Sequence, residues 1–205
     1  MKPEFWDRAC RELSACDPVL GRVIDAHAGE HLVARDDPFL TLVRSIVGQQ
    51  ISVKAAQSVW DRLARRSRTV TPERLSRMRT TTMRDCGLSQ RKAEYVQDLA
   101  RHFVNGTVDP SHWASLDDEA VIAELTSVRG IGRWTAEMFL IFNLQRPDVL
   151  PLDDIGLLRG MGHGYKGGER VSRAEAEAIA QAWRPWRSVA TWFLWRSLDP
   201  LPVEY

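Results

Sequence analysis

The feature that most constrains this chain is a short turn, Gly130-Ile131-Gly132, that separates two apolar stretches with helical spacing. Leu125 and Val128 place apolar side chains on one face of a short helix before the turn, and residues 134–142 keep a helical period after it. Glycine reaches positive φ without steric cost, and such a turn leaves backbone amides uncovered beside a helix N-terminus. The pattern predicts two helices joined by a turn that can bind a phosphate without a basic side chain.

Helical periodicity recurs through most of the chain, whereas alternating strand patterns are almost absent. Thr71-Pro72-Glu73 has the form of a helix cap followed by a first-turn proline, and Ser172-Arg173-Ala174-Glu175 has the form of a capping box. Glycines cluster at 160–168 and predict a loop there. We expect an all-α protein of ordinary helices joined by short connections.

Composition and charge narrow the class of protein. The net charge is +1, which excludes a protein that coats DNA through its overall field. Three cysteines are too few for a disulfide framework, a zinc site or a four-cysteine iron–sulfur cluster, and the five histidines show no metal-ligand spacing. No apolar run approaches the length of a membrane span, and the N-terminal residues lack the apolar core of a signal peptide. We therefore expect a cytoplasmic protein, nucleoid-associated if the source is bacterial, without a membrane segment or a side-chain metal site.

Four ordered blocks, one of which combines the turn with the Pro-x-Asp-Asp segment after it, resemble one known family. The turn with its flanks, Gly130-Ile131-Gly132-Arg133-Trp134-Thr135-Ala136, and the later Leu150-Pro151-Leu152-Asp153-Asp154-Ile155-Gly156-Leu157 resemble the helix-hairpin-helix DNA glycosylases, and within them the 3-methyladenine DNA glycosylase II family. The blocks at residues 45–52, 86–93 and 183–195 are similar to other segments of that family. A lone glycine hairpin would be weak evidence, because polymerases, ligases and non-enzymatic DNA-binding proteins also carry one.

The resemblance implies a two-lobed helical fold. One lobe is expected at about residues 39–146, with the helix-hairpin-helix at about 121–142, and the other is expected to combine about 1–38 with 147–205. The active cleft of the family lies between its lobes, with the hairpin at the lip.

The resemblance also implies which carboxylate is catalytic. Breaking an N-glycosidic bond builds positive charge on the sugar, and a carboxylate aimed at the sugar stabilises that charge and orients a water. Asp154 matches the family's catalytic aspartate, counted from the hairpin and from Arg159. Asp153 is the rival, with helix capping or a supporting hydrogen bond as its expected role. That both aspartates only cap the helix after Pro151 is the alternative that the hairpin disfavours.

The base pocket is expected to use Trp134, Met138 and Trp195. Bifunctional relatives carry a lysine where this chain has Trp134, so the resemblance implies an enzyme that leaves an abasic site without nicking the strand. An electron-rich indole attracts a cationic methylated base. Met138 stands where the family's best-known member has a tyrosine, and packing in the core is the alternative for each of these residues.

Contacts with DNA are expected from the hairpin and from two loops. Gly130, Gly132 and Thr135 would hold a phosphate. Gln50 or Leu88 would fill the gap left by a flipped nucleotide. Gln49 would either share that role or tie two loops together as a buried amide. The family's hairpin carbonyls, here those of Thr126, Val128 and Ile131, could hold a monovalent cation, but no cofactor is required.

The sequence thus predicts a monomeric, monofunctional DNA glycosylase of base excision repair that acts on duplex DNA with alkylated purines such as 3-methyladenine or 7-methylguanine. Two alternatives stay open. One is a glycosylase for other damaged or mismatched bases, and the other is a non-catalytic helix-hairpin-helix DNA-binding module.

Overall fold

The computed structural model describes residues 2–35 and 37–198, and within these ranges it contains helices and no β-strand, which confirms the all-α prediction. The helices are α1 (Trp6–Cys16), α2 (Pro18–Ala26), α3 (Pro38–Gly48), α4 (Val53–Ser67), α5 (Pro72–Arg77), α6 (Thr80–Asp85), α7 (Gln90–Val104), α8 (Asp118–Thr126), α9 (Arg133–Phe142), α10 (Ile155–Tyr165), α11 (Arg173–Ala180) and α12 (Arg187–Leu198). Short 3₁₀ helices lie at Pro110–Ser115 and Gln181–Trp183. None of the described helices is long and apolar enough to cross a membrane.

The described residues divide into two compact units, which we call the terminal unit (residues 2–34 and 140–198) and the hairpin unit (residues 35 and 37–139). The boundary falls inside α9, between Phe139 and Leu140.

Local sequence determines where most of these helices begin. The Thr71 side chain accepts a hydrogen bond from the Arg74 amide and Pro72 occupies the first turn of α5, as predicted. The predicted capping box at the start of α11 also forms, with reciprocal bonds between Ser172 and Glu175. Both motifs satisfy amides that have no intrahelical acceptor.

The hairpin unit is built around apolar faces of α3, α4, α7 and α8. Its fully buried side chains include Leu42, Leu63, Leu99, Leu125 and Trp113. The Trp113 indole donates to Glu124 Oε1 at 2.7 Å, so the largest of these side chains also has its polar atom satisfied.

The terminal unit is organised by a glycine face on α10. Gly156, Gly160 and Gly164 recur every four residues and therefore lie on one face of the helix. A Cβ atom at Gly160 would lie 2.9 Å from the Leu194 carbonyl oxygen of α12, and one at Gly164 would lie 2.9 Å from Val19 of α2. The expectation of a loop at 160–168 was wrong at its start, because these glycines allow close helix packing and α10 continues to Tyr165.

A buried carboxylate, Asp17, ties distant segments of the terminal unit together. It is the N-cap of α2, where its Oδ1 accepts from the Val19 and Leu20 amides. Its Oδ2 accepts from the Tyr165 hydroxyl at 2.6 Å and from the Trp183 indole at 2.9 Å. Burial, followed by the hydrogen bond to Asp17, raises the pKa of Tyr165. The tyrosine therefore stays protonated and donating through the physiological pH range.

Candidate functional site

The glycine turn forms as predicted and connects α8 to α9. Gly130 has φ +88°, the Ile131 amide donates to the Val128 carbonyl at 3.1 Å, and the Ile131 side chain is buried. Ile131 therefore fixes the turn to the core of the hairpin unit, while Gly132 is exposed at the start of α9. Within the described residues, neither the Gly130 nor the Gly132 amide donates a hydrogen bond.

The two glycines of the turn have different surroundings. A Cβ atom at Gly130 would lie 2.2 Å from the Tyr95 ring, whereas one at Gly132 would meet nothing within 4 Å. Gly130 is thus required by the fold of the turn, through its positive φ and this close contact. Gly132 has space for a side chain, so its lack of one leaves the outer surface of the turn accessible.

The loop between α3 and α4 is bonded to this turn. The Gln49 side-chain amide donates to the Gly130 carbonyl at 2.9 Å. This contact is the one expected if Gln49 ties two loops together. The next residue, Gln50, is exposed and has φ +57°, an uncommon conformation for a residue other than glycine. Strained backbone conformations of this kind are common at functional sites, which makes Gln50 a candidate functional residue.

The loop before α7 carries Leu88, which was one of the two candidates for filling the gap left by a flipped nucleotide. Leu88 is 4% exposed and belongs to the core of the hairpin unit. The Lys92 ammonium donates to the Val47 carbonyl at the end of α3 at 2.8 Å, and burial lowers the pKa of Lys92. This bond joins the first turn of α7 to the segment that carries Gln49 and Gln50.

The first turns of α9 carry the other predicted residues of the hairpin unit. Trp134 is 37% exposed, whereas Thr135 and Met138 are 8% and 6% exposed. Trp134 and Met138 are four residues apart and share one face of the helix. Trp134 is thus the most accessible of the three.

Asp154 is a buried carboxylate at the N-terminus of α10. It is 5% exposed and is the N-cap residue, in an extended conformation. Its Oδ1 accepts from the Leu157 amide at 2.6 Å and from the Trp195 indole at 2.7 Å. Both bonds hold this oxygen at the N-terminal end of α10.

Trp195 is held in place to make this bond. Its ring stacks on Phe142 with centroids 5.7 Å apart and planes inclined by 11°. A Cβ atom at Gly156 would lie 3.0 Å from both Asp154 Oδ1 and Trp195 Cδ1. Glycine at 156 therefore leaves room for the bond between the indole and the carboxylate.

Asp153 has a different environment. It is exposed and forms an ion pair with Arg173 at the start of α11. Asp154, not Asp153, caps α10, so the capping role expected for Asp153 was wrong. The cap falls to the residue whose backbone is still extended immediately before the first helical residue.

Sequence reasoning missed a polar cluster that holds the segment before Asp154. Asp148 accepts from Arg187 Nε at 2.6 Å and from Arg187 Nη2 at 3.0 Å, a bidentate pair. The Val149 amide donates to Ser188 Oγ at 2.9 Å, and the Ser188 amide donates to the Pro147 carbonyl at 3.0 Å. Arg187 and Ser188 belong to a block quoted for the family resemblance, but their partners are about forty residues earlier and have no local signal.

No cluster of three or more His, Cys, Asp or Glu side chains within residues 2–35 and 37–198 could hold a metal ion. Of the three hairpin carbonyls, that of Val128 accepts from the Ile131 amide. A cation at these carbonyls stays a prediction.

Comparison with known proteins gives one consistent result. A family model described as HhH-GPD superfamily base excision DNA repair protein matches residues 43–187. DNA-3-methyladenine glycosylase 1 of Schizosaccharomyces pombe is 30% identical over 182 residues, which cover 87% of this chain and 80% of the relative. The putative DNA-3-methyladenine glycosylase YfjP of Bacillus subtilis is 29% identical over 88% of this chain and 66% of its own.

Solved structures agree with this result. A DNA-3-methyladenine glycosidase from Bacillus halodurans superposes with a TM-score of 0.85 at 36% identity, over 92% of this chain and 88% of that chain. The S. pombe 3-methyladenine DNA glycosylase in complex with abasic DNA gives a TM-score of 0.82 at 30% identity, over 93% and 96% of the two chains.

Proposed function

Because this chain belongs to the HhH-GPD superfamily of base excision DNA repair proteins and is a DNA glycosylase of the 3-methyladenine type, we propose that it removes alkylated purines from duplex DNA by hydrolysing the N-glycosidic bond. The observation that carries the proposal is Asp154, a buried carboxylate held by an indole at a helix N-terminus, at the position expected from the hairpin register. The abasic DNA bound by the S. pombe relative is the product such a reaction would leave.

Asp154 is proposed as the catalytic carboxylate. Positive charge develops on the sugar as the base departs, and a fixed carboxylate stabilises that charge and orients the attacking water. The two donors on Oδ1 fix the position of the group. A carboxylate held in this way does not need to reorganise when the charge forms.

Base release without strand cleavage follows from the residue at 134. A lysine there would form a Schiff base with the opened sugar and lead to a nick. Trp134 cannot do so, and the indole offers an aromatic face to a cationic base. Ring-methylated purines such as 3-methyladenine and 7-methylguanine are cationic and good leaving groups, so they suit an enzyme that supplies no acid to the base. Trp195 and Met138 are also proposed to contribute to the preference for these cationic bases.

Gln50 is the proposed side chain that fills the duplex after the nucleotide is flipped. It is exposed, it can hydrogen-bond the unpaired base, and its loop is braced by Gln49 against the hairpin. Leu88, the other candidate, is buried in the hairpin unit. We assign Gln49 to the support of the loop rather than to the gap itself.

The decisive experiment incubates the protein with duplexes that each contain one lesion and identifies the released free bases by mass spectrometry. We expect release of 3-methyladenine or 7-methylguanine, alkali-labile abasic sites in the product and no nick before alkali. Borohydride should trap no covalent adduct. DNA binding without release of any base would instead identify a non-catalytic binding module, and release restricted to uncharged oxidised or mismatched bases would favour the other glycosylase branches.

Two glycine variants test the proposed phosphate contact. Gly132→Ala adds a methyl group in open space, so the protein should fold normally and bind damaged and undamaged duplex more weakly. Gly130→Ala is the matched control for structure, because it forces a Cβ into the Tyr95 ring at positive φ and should lower the melting temperature. Normal DNA affinity in a well-folded Gly132→Ala protein would remove the hairpin from the proposed binding surface.

A further inference from the structure

Positive charge in this chain is concentrated in one segment. Residues 62–92 contain ten arginines and lysines against two acidic residues, Glu73 and Asp85, which gives this segment a net charge of +8 in a chain whose total is +1. The low overall charge therefore conceals a strongly basic stretch within the hairpin unit.

Three of these arginines form a patch on α4. Arg62, Arg65 and Arg66 are spaced by three and four residues and so share one face of the helix. They line an open depression of about 340 Å³ together with Asp85 and Cys86. We call Arg62, Arg65 and Arg66 the α4 patch.

One guanidinium of the α4 patch is held in place by a backbone carbonyl, and none of the three has a carboxylate partner within the part of the chain that the structure describes. Arg62 Nε donates to the Cys86 carbonyl at 2.7 Å, which fixes its guanidinium and leaves the terminal nitrogens to other acceptors. Arg65 and Arg66 are exposed. None of the three forms an ion pair with a carboxylate of the described residues, Asp85 included. Unpaired guanidinium groups on a rigid helix are suited to bind phosphate oxygens.

Helix α4 links the patch to the loop that carries Gln50. Helix α4 begins at Val53, three residues after Gln50, and Arg62 lies roughly 14 Å further along its axis. The Cys86 carbonyl that holds Arg62 precedes α7, and Lys92 in the first turn of α7 is bonded to the end of α3.

We propose that the α4 patch is a second DNA-contacting surface, which binds backbone phosphates of the duplex that flanks the lesion. The inference rests on the proposed function, which makes duplex DNA the polyanionic partner. Contacts of this kind position the enzyme on DNA without reading sequence. They would also let a nearly neutral protein stay on DNA between lesions.

The test measures affinity for undamaged duplex as a function of salt. Arg65→Gln/Arg66→Gln removes two charges from the patch and spares the bond between Arg62 and Cys86. Arg11→Gln/Arg22→Gln removes two charges from exposed positions on α1 and α2 of the terminal unit. If both patch arginines contact phosphates, the slope of log affinity against log salt should become shallower by about 1.8 in the patch variant and stay unchanged in the control.

Base release from a saturating, short lesion duplex should be the same in wild-type protein and in the Arg11→Gln/Arg22→Gln control, which shows that the control protein is correctly folded. An unchanged slope in the patch variant overturns the proposal. An acidic protein surface would then be the alternative partner for the α4 patch. Equal losses in both variants also overturn it, since they would reflect net charge alone. If the wild-type protein bound no duplex at all, the proposed function itself would fail.

Discussion

Asp17 and Asp154 are two buried aspartates of the terminal unit with closely similar local environments. Each is the N-cap of a helix, each is less than 10% exposed, and each accepts a hydrogen bond from a tryptophan indole. Burial, capping and an indole partner therefore do not by themselves identify a catalytic carboxylate.

The two aspartates differ in what their hydrogen bonds join. Asp17 receives four donors, which occupy the acceptor positions of both oxygens and link α2 to Tyr165 and Trp183. A carboxylate saturated in this way stabilises the fold and has no acceptor position left for a substrate. The Oδ1 donors of Asp154 come from α10 and α12, and they place the carboxylate at the start of α10. The comparison predicts that substitutions at the two sites separate activity from stability.

Asp154→Asn should have the largest effect on activity. We expect base release to fall by on the order of a hundredfold or more, because the charge that stabilises the sugar is lost. Asparagine is as good an N-cap as aspartate, so the free energy of unfolding should change by less than about 1 kcal/mol. Single-turnover base release and thermal melting measure the two quantities.

Asp153→Asn is the matched control for that variant. It removes only an exposed ion pair with Arg173, worth about 0–1 kcal/mol, and should leave most activity. If the two variants exchanged rank, the register of the catalytic residue would be wrong by one position.

Asp17→Asn should show the opposite pattern. An amide group in place of one carboxylate oxygen turns a donor towards Tyr165 and Trp183, and each unsatisfied buried group costs about 1–3 kcal/mol. The melting temperature should fall by at least roughly 4 °C in a chain of this size, whereas the rate of base release below the transition should be unchanged. A loss of activity without a loss of stability would assign Asp17 a role in the reaction.

Substitutions of the two indole partners, Trp195 and Trp183, are expected to have smaller effects on activity and stability. Trp195→Phe keeps an aromatic ring against Phe142 but removes the donor to Asp154, so base release should fall about tenfold, the equivalent of one hydrogen bond to a charged group. Trp183→Phe removes the donor to Asp17 and should lower the melting temperature with little change in rate. Equal effects of both variants on stability alone would make Trp195 a packing residue.

The smallest expected effect is a difference in stability at alkaline pH between the wild-type protein and the Tyr165→Phe variant. The pKa of Tyr165 is raised by burial and by its bond to Asp17, so the folded state keeps a proton that the unfolded state loses above the ordinary value of 10.0. This contribution to stability is fully present below pH 10 and declines as the pH rises above it. In Tyr165→Phe the decline should be shallower, as measured by urea unfolding at successive alkaline pH values. Parallel curves for the two proteins would contradict the shifted pKa.

The elements that sequence predicted best are those determined by neighbouring residues. The hairpin turn, the cap at Thr71 and the capping box at Ser172 depend on side chains within a few positions of one another, and all three are present. Asp17 followed by Pro18 is also a local cap signal that could have located the start of α2. Its bonds to Tyr165 and Trp183 could not be foreseen, because these residues are 148 and 166 positions away.

Packing accounts for the expectations that were wrong. Glycines in a sequence usually signal a break, yet Gly160 and Gly164 lie inside α10, where the space they leave is filled by α12 and α2. Leu88 lies in a loop, where sequence suggests an accessible side chain, but it is buried. In both cases the outcome depends on what packs against the residue, which local pattern does not contain.

The glycine face of α10 also determines the angular position of Asp154. Rotation of the helix about its axis would bring a side chain such as Met161 or Leu157 against the Leu194 backbone, where only a glycine fits. The close approach of α12 therefore restricts rotation of α10 about its axis, and with it the position of Asp154, which caps the helix. Glycine at these positions thus helps to set the position of Asp154 beside the hydrogen bonds that it accepts, at a cost of about 1 kcal/mol of helix propensity per glycine.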